Sequence, residues 1–339
     1  MAITTLADAF FQVAVFVAVT LYVYHKIVAK LPQLELQYLR AKSPALEVIF
    51  ASILGALPGC GGAIIVVTQY TQRQASFGSL VAVLTSTMGD AAFLLLATRP
   101  LDGLLIITLG IAVGFICGLV VNTLPEPEFA SKQLSSDYKA TSHKQNYFHR
   151  VAYHIWQLML APCLIVSLLL AANIDLGPFT QFATIFGCTM AFLGTLCWAF
   201  DNATTSTANA QNSDRIDTFT TVIKDTHFVS VWVIISFMLY ELITMSMGFE
   251  LANWFSDYAI LAPLIAVLIG LVPGCGAQIL VTTLYIQGVI PFSALAGNAI
   301  SNDGDALFPA IALAPKAALL ATCYSTMPAL LVAYTLYWW

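Results

Sequence analysis

A chain of 339 residues that is 59% hydrophobic and only 9% charged is not a soluble domain, since globular proteins carry about 25% charged side chains. Runs of about twenty apolar residues recur along nearly the whole length, the pattern of an all-α polytopic membrane protein. This excludes a soluble enzyme, a nucleic-acid-binding protein and a disulfide-stapled secreted domain; the net charge of −5 says less than where the charges lie, and the seven cysteines fall mostly inside apolar segments.

In chain order, apolar helices are predicted at about 8–30, 44–72, 76–98, 100–121, 150–172, 178–200, 225–247, 259–287, 291–313 and 315–338. The first lacks a basic flank and reads as a retained helix, not a cleaved signal. Segments 44–72 and 259–287 are each broken by Pro-Gly-Cys-Gly, at Pro58–Gly61 and Pro273–Gly276. Each half is about 11–14 residues, too short for a ~30 Å hydrocarbon core and suited to a re-entrant hairpin. Backbone freed at such a tip must be buried in protein or line a wet cavity. Gly110, Gly114 and Gly118 mark a close helix contact. Tyr334, Tyr337, Trp338 and Trp339 form an interfacial belt. His143, His149 and His154 are read as loop or interface residues, and Glu47 and Glu241 as weak candidates for carrying coupling protons.

The chain is duplicated. Residues 54–104 align without gaps on 269–319 at a constant offset of 215, with 20 identities in 51 positions. The matches include Gly55, Pro58, Gly59, Cys60 and Gly61 with Gly270, Pro273, Gly274, Cys275 and Gly276. Ser86, Gly89, Asp90 and Phe93 likewise meet Ser301, Gly304, Asp305 and Phe308. Apolar composition scatters Leu and Val matches; it does not align Pro-Gly-Cys-Gly and Gly-Asp.

Basic residues discriminate between topologies. If each broken segment enters and leaves on one side, the repeats are inverted. With the N-terminus outside, twelve of the thirteen Lys and Arg then share one side, with Arg99 alone opposite. If the broken segments span, the split is six to seven. The positive-inside rule selects the hairpin topology. The expected organisation is a first transmembrane repeat at 1–121, a cytoplasmic loop at 122–149, two connecting helices at 150–200, a cytoplasmic loop at 201–224 and a second repeat at 225–339. Both termini, and the loop carrying Glu250 and Asp257, lie outside.

Charges in mid-membrane cost roughly 2.5–3.5 kcal/mol each and are functional by default. The run Gly297–Asp305 concentrates them. On an intact helix Asn298, Asn302 and Asp305 share one face, with Ser301 between them, and Asp303 joins if the chain unwinds near Gly304. Oxygen ligands of this kind suit a hard divalent cation. Gln278 and Asp90 are auxiliary candidates. Met88 stands at the position of Asp303, and Cys60 and Cys275 sit at the two hairpin tips, where sulfur shifts the preference toward a transition metal. Cys117, Cys163, Cys188, Cys197 and Cys323 show no ligand spacing.

The stretches Pro273–Gln278, Pro291–Leu295 and Asn298–Pro309 resemble the ten-helix heavy-metal exporter family, whose members are labelled manganese transporters or arsenic efflux proteins. The resemblance covers most of the chain and is densest in the second repeat. It implies metal efflux across the bacterial inner membrane and supplies no ligand set.

The expected function is thus a secondary active exporter of a divalent transition metal, Mn²⁺ first, working by alternating access with Na⁺ or H⁺ as coupling ion. Its partners are the metal substrate and membrane lipid, with a homo-oligomer compatible, and no cofactor or enzymatic activity is expected. No Gly-x-x-x-x-Gly-Lys-Ser/Thr motif supplies an ATPase. The alternatives are an arsenite or small-anion carrier coupled to Na⁺ or H⁺, and an intramembrane aspartyl protease built on Asp90 and Asp305.

Overall fold

A computed structural model describes residues 6–7, 9–124, 147–171, 177–200, scattered residues between 222 and 238, and 259–338. His143, Glu241, Glu250, Asp257, Trp339 and most of the loops at 122–149 and 201–224 lie outside the described residues, as do the side chains of His149 and His154. Every described element is helical.

After a π-helical turn at Ala9–Ala14 come α1 (Val15–Lys30) and α2 (Leu36–Lys42), the latter between the first two predicted apolar segments. The first broken segment is α3 (Pro44–Gly55) and α4 (Gly61–Thr71), and the next span is α5 (Phe77–Ser86) and α6 (Ala91–Thr98), bent by 41°. α7 (Pro100–Thr123) completes the repeat, followed by α8 (Tyr147–Ala171) and α9 (Phe179–Phe200). The second repeat holds α10 (Ala262–Gly270), α11 (Cys275–Ile286), α12 (Phe292–Ser301), a 3₁₀ turn at Gly304–Ala306, α13 (Leu307–Leu313) and α14 (Pro315–Trp338).

The 215-residue offset is written into the backbone. Helices α5 and α12 coincide end to end at that offset, and so do α7 and α14, each opened by a proline whose missing N–H costs nothing in the first turn. Positive φ angles recur in the same pairs: Gly59 (90°) with Gly274 (108°), Gly89 (51°) with Gly304 (59°), and Arg73 (63°) with Gly288 (76°). Within each repeat the first half-helix packs on the interrupted one, α3 on α5 and α10 on α12. The long helix covers both.

Small residues permit that packing. Gly110, Gly114 and Gly118 lie against Ser86, Ala82 and the Gly78 carbonyl, the close contact their spacing predicts, and their counterparts Ser325, Ala329 and Ala333 are fully buried. Gly55 and Gly270 each leave room for a serine hydroxyl, that of Ser86 and of Ser301, where a methyl group would collide.

One local difference explains Glu47. Its buried Oε1 accepts the Ser76 backbone N–H at 2.6 Å, at the start of α5. At the matching places the second repeat has Ala262 and Pro291, and proline has no N–H to satisfy. Glu47 therefore holds a helix start.

Between repeats the contacts are reciprocal, as across a two-fold interface: α6 packs on α11 and α13 on α4, while α5 meets α14 and α12 meets α7. Where α7 meets α14, the Cys117 thiol donates to the Tyr324 carbonyl at 3.7 Å. Leu109 and Val113 share an apolar cluster with Ala329 and Ala333. Residue numbers climb along one helix as they fall along the other.

Pro100–Thr123, Phe179–Ala199 and Pro315–Trp338 are long and apolar enough to cross a bilayer, and the bent α5–α6 pair makes a fourth span if taken as one. Their outward faces carry Leu101, Leu104, Phe179, Phe182, Leu331 and Trp338, all exposed, as lipid-facing helices require. The protein is a helical membrane protein.

Candidate metal centre

Four chain breaks build the centre. Gly59 and Gly274 take positive φ between the half-helices of the broken segments, and Gly89 and Gly304 do so within the interrupted spans; side chains rarely adopt that region. In the first repeat the breaks are tied together by the Gly59 N–H donating to the Gly89 carbonyl at 3.0 Å. In the second, Asn302 does so with its side chain. Its Nδ2 donates to the carbonyls of Gly270 (3.2 Å) and Gly274 (3.5 Å), and its Oδ1 accepts the Gly304 N–H at 2.8 Å.

These breaks bring the two cysteines together. Cys60 immediately precedes α4 and Cys275 opens α11, and their Sγ atoms stand 3.3 Å apart as free thiols. Asp305 Oδ2 accepts from Cys275 Sγ at 3.1 Å and from Cys60 Sγ at 3.5 Å, while Oδ1 accepts the Cys275 backbone N–H at 3.2 Å. The three ligand atoms lie within 4.8 Å of one another and all three residues are buried. Among the described residues no other group of His, Cys, Asp or Glu converges in this way.

Unpaired polar atoms surround this cluster. A methyl group on Gly89 would lie 3.4 Å from Cys60 Sγ and 3.5 Å from Gln278 Oε1. Neither amide atom of Gln278 has a hydrogen-bond partner, and neither oxygen of the next residue, Asp90, has one. A buried polar group left unpaired costs about 1–3 kcal/mol, so an incoming ligand gains whatever these atoms contribute. Asp90 and Asp305 share no hydrogen bond.

The rest of the predicted oxygen-rich cluster is distributed differently. Asn298 Nδ2 donates to the Ala266 carbonyl at 2.9 Å, and the Ser301 hydroxyl to that of Val267 at 3.0 Å. Both face α10, so the shared helix face is a helix–helix seam. Asp303 turns to α14, accepting from the Thr322 hydroxyl, with Ser325 Oγ at 3.5 Å. Met88 sits in an apolar cluster with Ala92, Leu95, Ile106 and Leu295. Of the ten predicted residues, Cys60, Cys275 and Asp305 converge, Gln278 and Asp90 line the same place, Asn302 braces it, and Asn298, Ser301, Asp303 and Met88 point elsewhere.

Thr322 and Ser325 were not foreseen. Two hydroxyls three residues apart on α14, Thr322 half-buried and Ser325 buried, were the available signal, obscured because such residues usually bond to their own helix.

No curated protein and no solved structure matches the chain. A family match spans residues 1–339, and the chain belongs to the family described as "Putative, 10TM heavy-metal exporter".

Proposed function

We propose that the protein is a secondary active exporter that carries a divalent heavy-metal ion through the Cys60–Cys275–Asp305 centre by ion-coupled alternating access. The observation that carries this reading is the meeting of one thiol from each repeat with a buried carboxylate, at the point where both broken segments and the interrupted spans converge. Transporters of this plan place substrate near the midplane between broken elements. The hydrogen-bond donors to Asp303 and Asp305 are thiols, hydroxyls and a backbone N–H. No basic side chain is among them, so among the described residues neither carboxylate is already paired with a cation of the protein.

The donor set revises the preferred metal. Mn²⁺ is expected for a mixed, mainly oxygen-donor set in a family labelled with manganese transport, whereas two sulfurs and one carboxylate favour a softer ion such as Zn²⁺ or Cd²⁺, with Gln278 and Asp90 at hand to complete the coordination. The opposed numbering of α7 and α14, at equivalent positions in the repeats, supports the inverted topology. The twelve-to-one split of basic residues supports placing both termini outside the bacterial inner membrane. Re-entrant hairpins at α3–α4 and α10–α11 then bring the cysteines in from opposite faces.

Arsenite, a thiophilic oxyacid, is the second reading, favoured by the 3.3 Å thiol pair. Proteoliposomes containing the purified protein discriminate among these. Zn²⁺ or Cd²⁺ transport should be lost on Cys275→Ser and on Asp305→Asn, whereas an arsenite carrier would need both cysteines and tolerate Asp305→Asn. Wild-type transport of Mn²⁺ that survives both cysteine changes would reject the centre.

A further inference from the structure

We propose that Asp303, Thr322 and Ser325 form a second cation site, distinct from the thiol–carboxylate centre, that binds Na⁺ as the coupling ion. The proposal deepens the export reading above and rests on it for the word coupling, though not for the binding.

Asp303 is 2% exposed, in the break that follows α12. Its carboxylate points to α14, not into the sulfur cluster: Oδ2 accepts from Thr322, and Ser325 Oγ lies 3.5 Å from Oδ1. Both hydroxyls have a second acceptor on their own helix, Thr322 with the Ala318 carbonyl at 3.1 Å and Ser325 with the Thr322 carbonyl at 2.9 Å. Each can turn its hydrogen onto the helix backbone and offer its lone pairs inward. The site then presents carboxylate and hydroxyl oxygens without sulfur, the chemistry of a hard cation. It also stands at the C-terminal, negative end of a half-helix, where coupling ions are favoured.

The duplication argues that this polar group is not structural. The positions equivalent to Asp303, Thr322 and Ser325 are Met88, Ile107 and Gly110, and Met88 and Ile107 belong to one apolar cluster. The first repeat brings its break against its long helix through the apolar side chains of Met88 and Ile107. The second replaces that packing with a buried carboxylate, an expensive group in a membrane interior, which the fold does not need. Asp303 is two residues from Asp305, so an ion held here bears on the segment carrying the metal ligand.

Full-length protein in proteoliposomes, at fixed pH and clamped membrane potential with choline replacing Na⁺, tests coupling through Cd²⁺ flux. Radiolabelled Na⁺ binding in detergent tests the site even if no metal moves. Wild type should bind Na⁺ and transport faster in its presence. Thr322→Val and Ser325→Ala should each raise the half-saturating Na⁺ concentration about tenfold, the effect of one lost polar contact to a charge. The ultraviolet thiolate-to-Cd²⁺ absorption should be unchanged in both. Thr326→Val, whose hydroxyl bonds only the Thr322 carbonyl, should keep the wild-type Na⁺ response and serve as the folding control. Na⁺ binding absent from wild type, a flux driven by protons with no Na⁺ effect, or a Thr322→Val/Ser325→Ala double variant with unaltered Na⁺ affinity would overturn the proposal.

Discussion

Gly89 and Gly304 are equivalent glycines with nearly the same backbone, φ 51° and 59°, but different surroundings. Alanine at either carries the left-handed strain of about 1–2 kcal/mol. At Gly304 the added methyl meets Cys60 Sγ at 3.5 Å and Thr87 Cγ2 at 3.6 Å, ordinary contacts. At Gly89 it meets Cys275 Sγ at 2.6 Å, which must retreat by about 1 Å to reach a normal separation. That displacement takes one sulfur out of register with Cys60 and Asp305. Disturbing metal-site geometry on this scale typically costs about 10- to 100-fold in affinity. Both variants should therefore lose similar thermal stability in detergent. Titration with Cd²⁺, followed by thiolate-to-metal absorption, should show near wild-type affinity for Gly304→Ala and a loss of at least tenfold for Gly89→Ala. Equal affinities in two equally folded variants would refute the assignment of Cys275 as a ligand.

Other substitutions separate ligands from supports. Met88→Leu conserves volume within an apolar cluster and should change stability by less than about 1.5 kcal/mol, with Cd²⁺ affinity unaltered in the same titration. Asn302→Ala removes all three hydrogen bonds that tie the second-repeat breaks; leaving buried backbone groups unpaired costs about 1–3 kcal/mol each, so its melting temperature should fall clearly below that of wild type. Asp90→Asn keeps the shape but removes a carboxylate whose oxygens are unpaired, and should weaken Cd²⁺ binding without lowering the melting temperature.

The duplication was legible because its matched residues dictate backbone geometry. Proline and glycine at the broken segments, and Gly-Asp in the interrupted spans, fix chain breaks wherever they occur, and the helices between them followed with matching ends. The cysteines could be named from their place at the tips, but their 3.3 Å separation arises only when the two repeats dock. Helical periodicity put Asn298, Asn302 and Asp305 on one face, whereas α12 ends at Ser301. It could not show that α10 covers that face, with Gly270 shaped to receive the serine. The direction of Asp303 depended on the torsions of one break, and its partners lie on a helix that reads as an ordinary apolar span.

X-ray absorption at the zinc edge of the Zn²⁺-loaded protein tests the meeting of the two repeats most directly. Two sulfur scatterers at about 2.3 Å, with oxygen or nitrogen completing the shell, are expected in wild type, falling to one sulfur in either Cys60→Ser or Cys275→Ser. A shell made only of oxygen and nitrogen in the wild-type protein would contradict the account.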